Sequence, residues 1–314
     1  MADTEILLES GTNEIEIMQF TIFGELYGIN VAKVREIMME DRIKPIPHSH
    51  PDIEGIFKPR DILLTVVNLP KYLTSSEVCE AHEKERENSR DLFIVTNFNK
   101  MHIAFRVHTV VGISRISWTD IQKPDKTLCH GREGVSTGIA QCGENLVTIL
   151  DFERIVAEIA PETSIQMEEI DNLGIREQKH HRIILAEDSL LLSKMIQEAL
   201  NRAGYSNIAS FNNGKEAWNY LCEISNDSDF REKASLLITD IEMPEMDGHR
   251  LTKLVKEDNR MKDLPIIIFS SLINEEMRIK GKKLGADEQL SKPEIGHLVE
   301  VMDRLIDRSE RNNG

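Results

Sequence analysis

The stretch Thr-Asp-Ile-Glu-Met-Pro-Glu-Met-Asp-Gly, residues 239–248, decides the fold of the C-terminal half of this 314-residue chain. It begins at the end of a β-rich run, Ala234–Thr239, and a helical pattern of apolar residues, Gly248–Glu257, follows it. A strand that ends in a carboxylate and continues into a helix is a building unit of parallel α/β sheets. The stretch therefore predicts one such unit.

The same unit recurs along the chain from Arg182 onward. Ile183–Ala186 is a continuous apolar run, as expected for a parallel strand buried on both faces. Apolar residues between Leu192 and Ala203 then recur at helical spacing, and Gly204 is suited to end that helix. The other predicted strands are Asn207–Phe211, Ala234–Thr239, Ile266–Phe269 and Glu288–Ser291, and the other predicted helices are Gly214–Glu223, Gly248–Glu257, Glu275–Leu284 and Ile295–Asp307. Strict alternation of five strands and five helices predicts an α/β doubly wound (βα)5 domain.

Polar side chains stand at the ends of four of these strands. Glu187 and Asp188 follow the first strand, and Asp240 ends the third. Ser270 follows the fourth strand and Lys292 the fifth. In an open parallel sheet, ligands bind at the carboxyl ends of the strands, so these side chains are expected to converge.

Each of these residue types suits phosphoryl transfer, in which catalysis is mostly positioning and charge stabilisation. Clustered carboxylates repel one another unless a hard cation such as Mg²⁺ lies among them. Asp240 would be both a metal ligand and the nucleophile, since carboxylates form acyl phosphates. Lys292 would supply a positive charge for the phosphoryl oxygens, and Ser270 a hydrogen bond.

A simpler interpretation exists for each residue taken alone. A single acid at a strand end is usually solvated or caps a helix, and Asp188 with Ser189 is suited to starting the next helix. Four matching positions on four separate strands are not explained by capping, so we favour the functional interpretation.

The C-terminal half resembles the receiver domains of two-component signalling. The resemblance rests on Ala186–Ser189, residues 239–248, Ser270-Ser271 and Leu290–Pro293, and it covers essentially all of Arg182–Arg308. It implies that Asp240 is the phosphoacceptor and that the donor is a phosphohistidine on a sensor kinase.

The resemblance also implies a magnesium site. Asp188 and Asp240 would contact Mg²⁺ directly, the backbone carbonyl of Glu242 would be a further ligand, and Glu187 would act through water. One departure concerns Gln289, since the family usually has an aromatic switch residue three places before the lysine. Output would then use another route, such as a contact between domains.

The N-terminal half, from about Glu14 to Asp151, has a different pattern. Short β-rich runs recur at residues 61–68, 92–96, 102–107, 110–116 and 145–150. Helical spacing is confined to Val31–Met38 and to Phe152–Ile159, which Asp151 is suited to cap. Many short strands with little helix predict an all-β domain, either small barrels or a sandwich.

This half resembles the CheW-type coupling domain of bacterial chemotaxis, whose fold is a pair of small β-barrels. The resemblance rests on Phe20–Val31, Val34–Ile37, Pro45–Pro47, Gly55 with Arg60, Val66–Leu69 and Leu146–Asp151. It implies that Glu36 and Arg60 bind partners, although exposed charges on a β domain are more often only solvated. The sequence departs from the family at Asp61, where Gly is usual, and at Asn68, where Asp is common.

The polar, Glu-rich segment 161–181 separates the two patterns and shows no sustained period of its own. We interpret it as a linker. The predicted domains are then a coupling domain over residues 12–160 and a receiver domain over residues 182–309.

The composition excludes several classes of function. With 38 Lys and Arg against 54 Asp and Glu, the net charge is -16, which disfavours nucleic acid as a partner. The apolar runs have only strand length, so no membrane insertion is expected. The four cysteines are scattered, as in a reduced cytosolic chain. We expect a cytoplasmic protein, and the resemblance to coupling domains implies a place at receptor arrays beneath the inner membrane.

A coupling domain followed by a receiver domain is the organisation of the CheV family, and the chain is identified as a member. The resemblance implies an adaptor that couples chemoreceptors to the histidine kinase CheA. Phosphorylation at Asp240 would regulate this coupling or make the chain a phosphate sink. Self-phosphorylation would need Mg²⁺ and a phosphohistidine or small-molecule donor, and it would not be enzymatic turnover. The alternatives are an aspartyl-nucleophile phosphatase and a constitutive adaptor with a degenerate receiver.

Overall fold

The computed structural model describes residues 13–60, 62–74, 79, 90–98, 101–122, 135–160, 167–174, 177–271, 273, 275–292 and 294–311. The chain divides into two compact units. The β unit consists of Ile15–Ile116 and Lys123–Pro161. The α/β unit consists of Met1–Glu14, Ser117–Gln122 and Glu162–Gly314. The predicted domain boundaries stay a prediction.

The chain up to Ile159 is mostly strand. Its strands are β1 Glu14–Ile22, β2 Glu25–Asn30, β3 Val34–Met39, β4 Ile53–Phe57, β5 Leu64–Asn68, β6 Leu92–Phe98, β7 Met101–Val107, β8 Thr109–Ser117, β9 Ile121–Gln122, β10 Ser136–Cys142 and β11 Asn145–Leu150. Its helices are α1 Leu69–Leu73 and α2 Phe152–Ile159, with 3₁₀ turns at Val31–Lys33 and Trp118–Asp120. In one sheet the strands lie in the order β8-β1-β2-β11-β10, and in the other in the order β3-β6-β7-β5-β4. This arrangement confirms the predicted all-β class.

Helix α2 supplies the centre of the β unit's core. Asp151 caps the helix by accepting a hydrogen bond from the backbone N–H of Arg154 at 3.0 Å, which confirms the predicted cap. The ring of Phe152 packs edge-to-face against Phe105 of β7 at 4.8 Å and against Phe20 of β1 at 6.4 Å. Because β1 and β7 belong to different sheets, α2 joins the two sheets through one apolar cluster.

The helix predicted over Val31–Met38 is wrong. Only Val31–Lys33 forms a 3₁₀ turn, and β3 then pairs antiparallel with β6. Ile37, in the middle of this strand, is 42% exposed. Apolar residues at positions 31, 34, 37 and 38 also fit helical spacing, so the partner strand β6, which is distant in sequence, decides the conformation.

Local contacts explain why position 68 holds asparagine and not the aspartate that is common in the coupling-domain family. The side-chain amide of Asn68 donates to Glu54 Oε1, and its Oδ1 accepts from the backbone N–H of Lys71 at 2.8 Å, capping α1. An aspartate could keep the cap but would set a carboxylate against Glu54.

We therefore expect Asn68→Asp to lower the free energy of unfolding by roughly 1–3 kcal/mol, since a hydrogen bond becomes a repulsive contact. Urea denaturation at pH 7 measures this loss, with Asn145→Asp at the exposed start of β11 as the matched control. The loss should shrink at lower pH, because protonating either carboxyl group restores a donor. Equal transition midpoints for the two variants would contradict the assigned contact.

The α/β unit contains the predicted parallel sheet. Its strands are β12 Ile183–Ala186, β13 Ile208–Phe211, β14 Leu236–Thr239, β15 Ile266–Ser270 and β16 Glu288–Ser291, in the order β13-β12-β14-β15-β16. Its helices are α3 Met167–Asp171, α4 Leu190–Arg202, α5 Gly214–Ile224, α6 Phe230–Lys233, α7 Gly248–Glu257, α8 Glu275–Lys283 and α9 Ile295–Arg311. The four pairs of neighbouring strands in this sheet are all parallel, which confirms the doubly wound class. No helix among the described residues is long and apolar enough to cross a membrane.

Strand β12 shows why these runs are apolar throughout. All four of its residues are buried, and their side chains alternate between two cores. Ile183 and Leu185 join one cluster, whereas Ile184 and Ala186 join the other. A strand covered on both faces has no polar face, so its sequence reads as a continuous apolar run.

The predicted linker contains a helix that the sequence pattern did not reveal. In α3, Ile170 is 2% exposed and belongs to a core cluster of the α/β unit. Glu169 Oε2 accepts a hydrogen bond from the backbone N–H of Gly296 at 2.9 Å, near the start of α9. A five-residue helix is too short to show a helical period, so its residues carry no recognisable pattern.

Candidate phosphoacceptor site

Three carboxylates meet at the ends of β12 and β14. The two strands pair in parallel with Ala186 opposite Thr239, so Glu187 and Asp240 follow at the same level. One oxygen from each of Glu187, Asp188 and Asp240 lies within 4.8 Å of the others. Among the described residues, this is the one such group of acidic or metal-ligating side chains. The structure thus brings together the three acids selected from the sequence.

Lys292 lies among these acids. β15 and β16 pair with Ser270 opposite Ser291, which places Lys292 just beyond the end of the sheet. Its ammonium group is 2.8 Å from Glu187 Oε2 and 3.1 Å from Asp240 Oδ2. All three of these side chains are almost fully buried, so the ion pairs are little screened by solvent. Ser270 is fully buried at the end of its own strand.

Backbone contacts fix the orientation of Asp240. Its N–H donates to the carbonyl of Ala186 at 3.0 Å, which anchors it to β12. Its Oδ1 accepts from the N–H of Ile241 at 2.6 Å, and its Oδ2 faces Lys292. The two carboxylate oxygens therefore have different partners.

Gly248 allows α7 to begin directly beside Asp240. A methyl group on Gly248 would overlap the backbone carbonyl of Asp240, so only glycine fits this approach. Asp247 caps α7 by accepting from the N–H of Arg250 at 2.6 Å, and burial raises the pKa of the Asp247 carboxyl above its ordinary value. No role was predicted for Gly248 alone, although a glycine directly after Asp247 and before a helical pattern was a visible signal.

His249, at the start of α7, is a neutral buried group. It is 1% exposed, and burial lowers the pKa of its imidazole to about 3, with a further contribution from Lys280. Its Nε2 has no hydrogen-bond partner among the residues that the structure describes. The imidazole consequently adds no positive charge near the acids at neutral pH.

The donor set fits a magnesium ion. Mg²⁺ prefers oxygen ligands and is usually bound through one or two carboxylates, with water and phosphate oxygens as the remaining ligands. Glu187, Asp188 and Asp240 offer such oxygens, and Asp188 is less buried than the other two. Glu242, whose backbone carbonyl was predicted to help, follows Asp240 by two residues and is 8% exposed.

The two partner-binding residues predicted in the β unit also lie near each other. Glu36 on β3 and Arg60 in the connection between β4 and β5 line one small cavity, together with Met38 and Leu64. Arg60 adopts the left-handed conformation with φ 58°, which is uncommon for a residue other than glycine. Asp61, the other departure from the coupling-domain family, lies outside the described residues.

Comparisons with known proteins find two domain families along the chain. The CheW-like domain family matches residues 16–160, and the response regulator receiver domain family matches residues 183–303. Chemotaxis protein CheV3 of Helicobacter pylori is 26% identical over 309 residues, which cover 95% of this chain and 96% of that protein. Chemotaxis protein CheV2 of the same organism is 28% identical over 311 residues, which cover 94% and 95%.

A shorter relative matches the α/β unit alone. Chemotaxis protein CheY1 of Helicobacter pylori is 33% identical over 112 residues, which cover 36% of this chain and 85% of that protein. The matches to CheV proteins extend over both units, in the predicted order. The chain therefore has the architecture of the chemotaxis proteins CheV3 and CheV2 that it matches along its length, with a CheW-like domain followed by a response-regulator receiver domain.

Proposed function

We propose that this chain is a chemotaxis coupling adaptor whose receiver domain accepts a phosphoryl group on Asp240. One observation carries the proposal. The Asp240 carboxylate is grouped with two other acids and forms an ion pair with Lys292 at 3.1 Å, at the carboxyl edge of a parallel sheet. A nucleophile, metal ligands and a cation for the phosphoryl oxygens are the parts that phosphoryl transfer needs.

In the proposed reaction, a carboxylate oxygen of Asp240 attacks the phosphorus of a phosphohistidine. The new O–P bond forms as the P–N bond breaks, and the leaving imidazole takes up a proton from water. The hydrogen bond from Ile241 N–H to Oδ1 holds the carboxylate in one orientation, which lowers the entropic part of the barrier. The chain undergoes one transfer and is not an enzyme that turns over.

Charge around Asp240 would control this transfer. Asp188, Asp240 and the carbonyl of Glu242 would hold Mg²⁺, with Glu187 acting through water. When bound, the ion would neutralise charge on the phosphoryl oxygens. Lys292 would move its ammonium from the carboxylates to the incoming phosphoryl oxygens, and Ser270 would donate a hydrogen bond to them.

The β unit would bind chemoreceptors and the histidine kinase CheA, at cytoplasmic receptor arrays. Glu36 and Arg60 line one cavity, and exposed apolar residues stand near them in sequence. Ile37 is 42% exposed and Leu63 is 57% exposed. Exposed apolar side chains beside a charged pair suit a protein-docking surface.

Reconstitution tests the adaptor function. Receptor-containing membranes are mixed with CheA and the full chain, and both sedimentation of the chain and kinase activity are measured. We expect the wild type to bind and alter kinase activity, and Arg60→Glu or Glu36→Lys to weaken binding about tenfold. Glu144→Lys, at the exposed turn between β10 and β11, is the matched control. Equal binding of all variants would move the docking surface elsewhere.

The same assay separates regulation from phosphate storage. Beryllofluoride with Mg²⁺ is added as an analogue of the phosphoryl group on Asp240. A change in receptor–kinase coupling would support regulation, because the analogue can shift coupling only by favouring one state of the chain. Unchanged coupling with beryllofluoride, together with loss of phosphate from CheA when the chain is added without beryllofluoride, would identify the chain as a sink.

A further inference from the structure

Helix α8 has few apolar contacts with the rest of the α/β unit. Its sequence, Glu-Glu-Met-Arg-Ile-Lys-Gly-Lys-Lys, is dominated by charged residues. Gly281 is its one buried residue, and Ile279 is 49% exposed. Burial of an amphipathic face stabilises most helices in proteins, and α8 has little of this contribution. Other contacts must hold it against the sheet.

The side chain of Gln289 makes such contacts. It extends from β16, is 8% exposed, and its Nε2 donates to the backbone carbonyl of Arg278 at 2.7 Å. In return, Arg278 Nη1 donates to the backbone carbonyl of Gln289 at 3.3 Å. Two reciprocal hydrogen bonds therefore join the middle of α8 to β16.

Gly281 completes this contact. A methyl group at this position would overlap the carboxamide of Gln289, so the glycine leaves the space that the carboxamide occupies. The carboxamide Oε1 is buried and receives no donor among the residues that the structure describes. If α8 moved away without admitting water, Nε2 would also lose its partner, and the whole amide would be buried without hydrogen bonds.

Both partners in this contact, α8 and Gln289, are close along the chain or across the sheet to residues of the candidate site. Gln289 pairs with Ile268 on β15, the strand that ends at Ser270. Along the chain, Ser270 precedes α8, and Gln289 precedes Lys292. A phosphoryl group that drew in the Ser270 hydroxyl would therefore pull on the connection to α8, and the Gln289 contact would resist that pull.

We propose that Gln289 is a latch that fixes α8 to β16 and keeps it in place when Asp240 is phosphorylated. The response of the latch to the phosphoryl group rests on the proposed function, whereas its hold on α8 in the resting protein does not. Output from the receiver would then not travel through a displacement of α8.

Hydrogen–deuterium exchange of the full chain tests the latch, with and without Mg²⁺ and beryllofluoride. Gln289→Met keeps the length of the side chain but removes the donor, and Gly281→Ala displaces the carboxamide. We expect α8 amides to exchange about tenfold faster in both variants than in the wild type. In the wild type, beryllofluoride should leave α8 exchange unchanged, and in the variants it should change it.

The matched control is Gln197→Ala, which removes a glutamine whose Nε2 donates to Ser193 within α4. It should leave α8 exchange as in the wild type. Wild-type exchange rates in the α8 amides of both latch variants would overturn the proposal, as would a beryllofluoride-dependent change of α8 in the wild type.

Failure of the proposed function has a separate signature. If beryllofluoride changed exchange nowhere, including around Asp240, phosphoacceptance would be disproved. The comparison without beryllofluoride would still decide whether Gln289 holds α8.

Discussion

Incubation with Mg²⁺ and acetyl phosphate is expected to add one phosphoryl group to the wild-type chain and none to Asp240→Asn. The amide of asparagine is not a nucleophile, whereas the Asp240 carboxylate is fixed by Ile241 and lies beside the cation of Lys292. Intact-mass spectrometry measures the gain directly. Removing Mg²⁺ with EDTA should abolish the mass gain. Without the ion, the negative charges of the clustered carboxylates and of the incoming phosphoryl group are not compensated.

The matched control for this experiment is Asp263→Asn, at a carboxylate that is 71% exposed. It should gain the same mass as the wild type. If the wild type gained no mass, the experiment would be repeated with a phosphorylated kinase as donor. Failure with both donors would identify a constitutive adaptor with a degenerate receiver. Continuous release of phosphate over many turnovers would instead favour the phosphatase.

Replacement of Lys292 by methionine is expected to lower the free energy of unfolding by about 3–5 kcal/mol when no Mg²⁺ is present. The change leaves two buried carboxylates, on Glu187 and Asp240, without the ammonium that lies 2.8 and 3.1 Å from them. Removing one partner of a buried ion pair costs about this much. Urea denaturation in EDTA measures the loss.

Added Mg²⁺ should then stabilise Lys292→Met more than the wild type, because the variant's acids have no competing cation. The matched control is Lys256→Met, whose ion pair with Asp287 at 2.8 Å is partly exposed and should contribute much less. If the two variants lost equal free energy of unfolding, or if Mg²⁺ stabilised the wild type and Lys292→Met equally, Lys292 would not be the cation that compensates the buried acids.

The candidate site was largely predictable because its residues are defined by strand ends. Once a parallel sheet is inferred, the side chains after its strands must share one edge, so Asp188, Asp240 and Lys292 could be grouped without a structure. The sequence did not reveal that Lys292 forms ion pairs with Glu187 and Asp240. These ion pairs join side chains that follow three different strands, and the spacing of residues along the chain does not predict how far each side chain extends.

Other features depended on partners distant in sequence. β3 was mistaken for a helix because the pairing that fixes it comes from β6. The contact of Gln289 with Arg278 and Gly281 was missed, although the unusual residue at position 289 was noticed. A hydrogen bond between a strand side chain and a helix carbonyl has no periodic signature, so only coordinates show it.

The order of strands in the first sheet has a consequence for synthesis of the chain. β2 pairs in parallel with β11, with Tyr27 opposite Thr148, so residues from the two ends of the β unit must meet before that sheet is complete. Neighbouring strands in the α/β sheet are closer in sequence, and such contacts form faster. On the ribosome, β1 and β2 therefore emerge early, but the β unit stays open until residues 145–150 have left the exit tunnel. Its early apolar strands are exposed to chaperones for most of that time.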